Sequence, residues 1–210
     1  MISFDTKIET VLKTYHQRIE TESILMKSLP LEEGMKRRDE FLLSVGLETA
    51  IFVNTLIKSA QSKIILEIGT SYGYSTIWLA EAARANGGRV ITLENNIEKA
   101  KYAKQKIEEA GLSDFVDWRV GDALENIANA TEKFDFVLVD IWKELYLPCF
   151  DLFYPKLNPS AWVLSDNMIY PAHSIQETTI YKNRIQETQA FDTVLLPIGS
   201  GIELSFYKNK

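Results

Sequence analysis

Two acidic residues and an amide follow two predicted strands, and together they could bind a hard metal ion. Asp140 follows the apolar run FDFVLV, and Asp166 and Asn167 follow WVLS. Neighbouring strand ends would bring three oxygen donors together, which suits Mg²⁺ with water or substrate completing its shell. Without a cation the two carboxylates would repel, and one would be pushed towards protonation. On spacing alone, two unrelated helix caps or turn residues remain an equal alternative.

A glycine turn after another apolar run offers a second kind of site. Residues 64–68 (IILEI) predict a strand buried on both faces, Gly69 and Gly73 bracket a turn, and helical spacing resumes at Tyr74. This order places backbone N–H groups and a positive helix end beside the turn. The spacing G-x-x-x-G differs from the G-x-G-x-x-G of dinucleotide binders. Glu67 would repel a phosphate but suits a ligand with hydroxyls and an amine.

Other predicted strands also end in polar residues. Glu94 ends the second strand, where its carboxylate could accept hydrogen bonds from ribose hydroxyls. The third strand ends in Gly121-Asp122-Ala123, a candidate adenine contact, and Trp142 and Lys143 follow the fourth. Any one of these acids could be a helix cap. Polar residues at the ends of five successive strands, however, favour a ligand-binding site at one edge of the sheet.

The elements that must position these residues alternate between strands and helices. Strands are predicted at 64–68, 89–94, 116–120, 134–139, 162–165, 193–196 and 202–207, and helices at 8–19, 47–59, 74–80, 97–110, 123–129, 146–157 and 174–188. Pro30 and Gly34 predict a loop. This order predicts an α/β fold with a doubly wound, mostly parallel seven-stranded sheet and a C-terminal antiparallel hairpin. We expect one domain over residues 1–210, with a helical cover at 1–60 and an α/β core at 61–210.

Composition narrows the classes of function. The 210 residues carry a formal charge of −6, which gives no global electrostatic footprint for nucleic acid or an anionic membrane. A single cysteine, Cys149, rules out an intramolecular disulfide and fits a reducing compartment. Asp5, Lys7 and Glu9 stand where a signal peptide would be apolar, and no run reaches the ~18 apolar residues of a membrane span. We therefore expect a cytoplasmic protein.

Five segments in sequence order carry a family resemblance: LEIGTSYGYS, ITLEN, GDALE, FDFVLVDIWKELYLP and VLSDNMIYP. They resemble the cation-dependent O-methyltransferases related to catechol and caffeoyl-CoA O-methyltransferases, over residues 45 to 207. The pattern D-x-W-K-x-x-Y-L-P followed by S-D-N is more specific than the glycine turn. The resemblance implies the Rossmann-like fold of class I S-adenosylmethionine-dependent methyltransferases.

The resemblance also implies a role for each candidate residue. The methyl donor S-adenosylmethionine would be bound by Val45, Glu67, Gly69, Ser75, Glu94, Ala123 and Trp142. Within this set Ser75 and the backbone near Val45 would meet the donor's carboxylate, Glu94 its ribose, and Ala123 and Trp142 its adenine. Asp140, Asp166 and Asn167 would hold Mg²⁺ or another divalent cation, and Lys143 would be the catalytic base. The expected acceptor is one hydroxyl of a small aromatic diol.

Three departures from the family pattern bear on the acceptor. Ile141 stands where animal catechol enzymes have a histidine, and Asp192 is the only acid in 191–196, where they place a substrate-side glutamate. Residues 169–180 contain no Lys or Arg to bind CoA phosphates, which disfavours a hydroxycinnamoyl-CoA ester.

Other functions stay open at this point. Methylation of a modified tRNA base is disfavoured by the charge of −6. A nicotinamide-dependent oxidoreductase is disfavoured by the absent G-x-G-x-x-G, and a non-catalytic donor-binding protein by the presence of Lys143 and the metal triad. We expect neither nucleic acid nor membrane as a partner, and the N-terminal helices are a candidate homodimer interface.

Overall fold

A seven-stranded sheet forms the centre of the computed structural model, which describes residues 4–171 and 174–208. Its strands are β1 (Ile64–Ile68), β2 (Arg89–Glu94), β3 (Val116–Val120), β4 (Phe134–Val139), β5 (Leu157–Ser165), β6 (Phe191–Leu196) and β7 (Ile202–Tyr207). They lie in the order β3-β2-β1-β4-β5-β7-β6, and β7 runs antiparallel to both of its neighbours. The predicted mostly parallel sheet with a C-terminal antiparallel hairpin is confirmed.

Helices cover both faces of this sheet. They are α1 (Thr6–Ser28), α2 (Leu31–Lys36), α3 (Leu47–Ser59), α4 (Tyr74–Asn86), α5 (Ile97–Glu109), α6 (Ala123–Asn129), α7 (Tyr146–Phe153) and α8 (Ile175–Glu187). Successive side chains of a strand point to opposite faces. Accordingly Ile65 belongs to the core that contains Ile77 of α4, whereas its neighbour Leu66 belongs to the core that contains Phe150 of α7. In the two described ranges no helix is long and apolar enough to cross a membrane.

The N-terminal helices extend further than the sequence pattern indicated. The helix predicted at 8–19 is the first part of α1, which packs its buried side chains against α4 and α5. Gly34 lies inside α2, so the predicted loop at that residue is wrong. Pro30 immediately precedes the helix, and its ring fixes a backbone angle that suits a helix start.

Strand β5 begins earlier than predicted. The helix expected to reach Leu157 ends at Phe153, and one 3₁₀ turn leads directly into the strand. Leu157 pairs with Phe134 while Trp162 pairs with Phe136, so β5 carries a bulge between these two pairs. A bulge interrupts the regular strand pattern, which explains why residues 157–161 carried no recognisable strand signal.

Candidate active site

The glycine turn after β1 brings three strand ends together. Gly69 has a φ of +101°, and a Cβ atom at this residue would lie 2.0 Å from the carbonyl oxygen of Asp140. The backbone N–H groups of Gly69 and Thr70 both donate to the carbonyl of Leu93, at 3.1 Å. Only glycine permits both this backbone angle and this close approach. The ends of β1, β2 and β4 therefore meet at one edge of the sheet.

Glu67 lies beneath this turn and is fully buried. Its carboxylate accepts hydrogen bonds from the hydroxyls of Ser75, Thr76 and Thr92, each at 2.6 Å. Burial raises the pKa of Glu67 to about 7, although the three hydroxyl donors act in the opposite direction. Since Ser75 and Thr76 belong to the first turn of α4, Glu67 ties that helix to β1 and β2.

Glu94 lies at the end of β2 and faces the tip of the same turn. Its Oε2 accepts from the backbone N–H of Ser71 at 2.7 Å, and its Oε1 accepts from that of Asn96 at 2.9 Å. Each carboxylate oxygen has room for a second donor. The two backbone bonds fix the direction of the carboxylate and leave acceptor positions for hydroxyls of a ligand.

The other residues predicted to bind the donor lie on several different elements. Val45 and Ser75 line the same small cavity between α3 and α4. Ala123 begins α6, directly after the helix-capping Asp122. Trp142 follows β4 and keeps 39% of its surface exposed. Ala123 follows β3 and Trp142 follows β4, and β2 and β1 lie between these two strands in the sheet.

Asp140 and Asp166 follow adjacent parallel strands at the same edge. The backbone N–H of Asp140 donates to Ile68, and that of Asp166 donates to Val139, both at 3.0 Å. These bonds extend the parallel pairing one residue beyond each strand. The two carboxyl groups and the neighbouring Asn167 therefore leave the sheet at the same level.

The two acids lie in surroundings that oppose their negative charge. Burial raises the pKa of Asp140, and burial together with the charge of Asp140 raises that of Asp166 to about 7. Asp166 is 1% exposed, and its Oδ1 has no hydrogen-bond partner among the described residues. Within the described ranges no three His, Cys, Asp or Glu side chains cluster as metal ligands, so a cation here needs the Asn167 amide oxygen as its third protein donor.

Lys143 points its amine into this group. Its Nζ donates to the hydroxyl of Tyr146 and, at 3.3 Å, to Oδ1 of Asn167. Burial lowers the pKa of Lys143. The Tyr146 hydroxyl in turn lies 2.9 Å from the carbonyl oxygen of Asp166 and 3.1 Å from that of Val139, and either can accept its proton.

Tyr146 is the site residue that sequence reasoning missed. It is the tyrosine of the pattern D-x-W-K-x-x-Y-L-P and follows Lys143 by three residues. Side chains three apart on a helical turn are neighbours, so this spacing was a usable signal.

Comparison with known proteins identifies the family of the chain. Residues 17–207 match the family described as "O-methyltransferase". The chain belongs to this family. It is 32% identical to a catechol O-methyltransferase of Niastella koreensis over 157 residues, which cover 73% of this chain and 70% of that enzyme. It is 31% identical to caffeoyl-CoA O-methyltransferase 1 of Eucalyptus globulus over 111 residues, which cover 50% and 45%.

A solved O-methyltransferase structure shows the same fold. An O-methyltransferase from Bacillus cereus in complex with SAH superimposes with a TM-score of 0.77 at 26% identity, covering 99% of this chain and 93% of that one. Further catechol O-methyltransferases match over about half of their own length. The predicted family, the class I methyltransferase fold and the enzyme class of S-adenosylmethionine-dependent O-methyltransferases are confirmed.

Proposed function

We propose that this O-methyltransferase depends on a divalent cation and methylates one hydroxyl of a small, catechol-like aromatic diol. One observation carries the proposal: Asp140, Asp166 and Asn167 leave two adjacent strand ends beside the glycine turn, with the Lys143 amine bonded to Asn167. The Niastella relative, a catechol O-methyltransferase, supports the same class of acceptor.

The donor site would occupy the glycine turn. The proposed donor-binding residues are Val45, Glu67, Gly69, Ser75, Glu94, Ala123 and Trp142. The free acceptor positions of Glu94 suit the two ribose hydroxyls, because a carboxylate binds a vicinal diol well. Glu67 would support the site from beneath the turn. Its oxygens already accept hydrogen bonds from three hydroxyl groups and so hold α4 in place.

The metal site would be formed by Asp140, Asp166 and Asn167. The residues fit a divalent cation, because a buried carboxylate oxygen without a partner is costly unless a charge or a donor completes it. When bound, Mg²⁺ or a similar ion would stabilise the negative charge of the acceptor oxygen and so lower the pKa of that hydroxyl. Without the ion, the two acids would have to share their site with at least one proton.

Lys143 would take the proton of the acceptor hydroxyl. Its burial favours the neutral amine, whose lone pair can accept a proton, and its bonds to Tyr146 and Asn167 hold Nζ at the metal-binding edge. The acceptor oxygen then bonds to the methyl carbon of the donor while the carbon–sulfur bond breaks, leaving S-adenosylhomocysteine. Positioning the two reactants in line is the main task of the protein in such a step.

A methyl-transfer assay tests this proposal. Catechol, a monophenol of the same size and a caffeoyl-CoA ester are compared in the presence of Mg²⁺ and in excess EDTA. We expect methylation of the diol with Mg²⁺ only. Preference for the CoA ester would favour the activity of the Eucalyptus relative, and metal-independent turnover would contradict the proposed site.

A further inference from the structure

A continuous chain of hydrogen bonds runs from α1 to Glu94. Nε of Arg18 donates to Oε1 of Glu22 at 2.6 Å, and Oε2 of Glu22 accepts from the backbone N–H of Leu42 at 2.6 Å. The carbonyl of Leu42 accepts from the Ser71 hydroxyl at 3.3 Å, and the Ser71 N–H donates to Glu94 at 2.7 Å. The N-terminal helix is thus connected, through the loop before α3, to the tip of the glycine turn.

The same helix also holds the next residue of the turn, Tyr72. The guanidinium carbon of Arg18 lies 4.0 Å from the centre of the Tyr72 ring, a cation–π contact. The Tyr15 hydroxyl donates to the carbonyl of Tyr72 at 2.5 Å, and the Tyr72 hydroxyl donates to the carbonyl of Asp39 at 3.2 Å. Arg18 itself donates to the carbonyl of Glu40 at 3.1 Å. Hydrogen bonds and the cation–π contact therefore connect both the turn and the loop 39–42 to α1.

The loop adopts a conformation that its own residues do not favour. Leu43 has a φ of +45°, although its side chain is 45% exposed and gains little from packing. A non-glycine residue at positive φ is uncommon and persists when surrounding contacts impose it. The preceding Leu42 is held on both sides, because Glu22 accepts from its N–H and Ser71 donates to its carbonyl.

We propose that Arg18 and Glu22 are positioning residues for the methyl donor. They hold the loop 39–42 and the tip of the glycine turn so that the Ser71 N–H stays directed at Glu94. This inference rests on the proposed donor site at the turn. It also gives α1 a defined task, since its side chains contact the tip of the turn.

We therefore expect a break in this chain of hydrogen bonds to affect donor binding and not the methyl-transfer step. Loosening the turn tip removes a bond that aligns Glu94, so the affinity for the donor falls. Lys143 and the two aspartates follow β4 and β5, on the other side of β1. They do not depend on this chain of bonds, so turnover with saturating donor stays nearly constant.

Three variants test the inference. Arg18→Gln removes the guanidinium, and Glu22→Ala removes the acceptor of the Leu42 N–H. Arg84→Gln is the matched control, because Arg84 pairs with Asp5 at 2.8 Å and also ties α1 to α4, far from the turn. Calorimetry with S-adenosylhomocysteine gives the affinity, steady-state kinetics give KM for the donor and kcat, and thermal melts verify folding.

We expect Arg18→Gln and Glu22→Ala to weaken S-adenosylhomocysteine binding and raise the donor KM by about tenfold, in the range for a lost hydrogen bond to a charged group. Both should keep kcat within about twofold, and Arg84→Gln should change neither value by more than about twofold. Unchanged affinity in folded Arg18→Gln, or an equal loss of affinity in Arg84→Gln, would overturn this inference but not the proposed donor site. A wild-type protein that binds no S-adenosylhomocysteine would overturn the proposed donor site as well.

Discussion

The amine of Lys143 lies 3.3 Å from the amide oxygen of Asn167, so the proposed base and a proposed metal ligand share a hydrogen bond. One residue follows β4 and the other follows β5. Any movement between these strand ends would change the distance between the proposed proton acceptor and the proposed cation. The packing that fixes the two strands is therefore part of the proposed catalytic geometry.

Replacement of Lys143 by Met should remove the base while keeping the bulk of the side chain. We expect kcat to fall about 10²-fold or more, as for a lost general base, with donor affinity nearly unchanged. Lys101→Met is the control, because the side chain of Lys101 is 66% exposed and forms an ion pair with Glu98 on its own helix. Wild-type kcat in Lys143→Met from pH 6 to 9 would show that the amine takes no proton.

Tyr146→Phe should leave the core intact but release the Lys143 amine. Because the lost hydroxyl orients Nζ, we expect kcat to fall about tenfold, with thermal stability reduced by about 1 to 2 kcal/mol. Tyr181→Phe is a close control, since Tyr181 is equally buried and its hydroxyl bonds to Ser165 at 2.7 Å instead. An equal loss of kcat in both variants would mean that the Tyr146 hydroxyl matters no more than another buried hydroxyl beside these strand ends.

Glu94→Ala should weaken S-adenosylmethionine binding by about 1 to 3 kcal/mol, because the ribose hydroxyls lose a charged acceptor and the Ser71 N–H loses its partner. Titration calorimetry on the folded variant measures the change. Affinity equal to that of the wild type would remove Glu94 from the donor site.

Glu67 should make the stability of the protein depend on pH. Its folded pKa of about 7 lies above the ordinary value of 4.5, so between these values the folded protein holds a proton that the unfolded chain has released. Stability contributed by the protonated carboxyl is therefore lost as pH rises from 4.5 to 7. The total loss is on the order of 3 kcal/mol at most.

Glu67→Gln isolates this effect, because an amide cannot ionise. Urea unfolding of both proteins at pH 5 and pH 8 should show that the variant gains stability relative to the wild type at the higher pH. A difference between the two proteins that is the same at both pH values would mean that Glu67 does not ionise in this interval.

Local patterns in the sequence were enough to predict much of this fold. The apolar run of β1 and the glycine turn predicted a strand, a turn and a helix where each occurs. The start of β5 was not predictable, because it depends on how Leu157 pairs with Phe134 across the bulge. That pairing is a tertiary contact, which periodicity does not record.

The candidate site, too, was predictable from the sequence only in part. Acids at strand ends are visible in sequence, because parallel strands end at one edge of a sheet. The contact between Tyr15 and Tyr72 joins residues 57 positions apart, and no local spacing signals it. The contact of α1 with the turn was therefore not predictable from the sequence.

The most direct test of the proposed function compares catechol with a monophenol of equal size, with Mg²⁺ and with excess EDTA, while calorimetry follows S-adenosylhomocysteine binding. Two adjacent oxygens can chelate one cation, whereas a single phenol oxygen cannot. We predict methylation of catechol alone, its loss in EDTA, and donor binding that persists without metal. Equal rates on both phenols, or full activity in EDTA with no metal in the protein, would contradict a metal site formed by Asp140, Asp166 and Asn167.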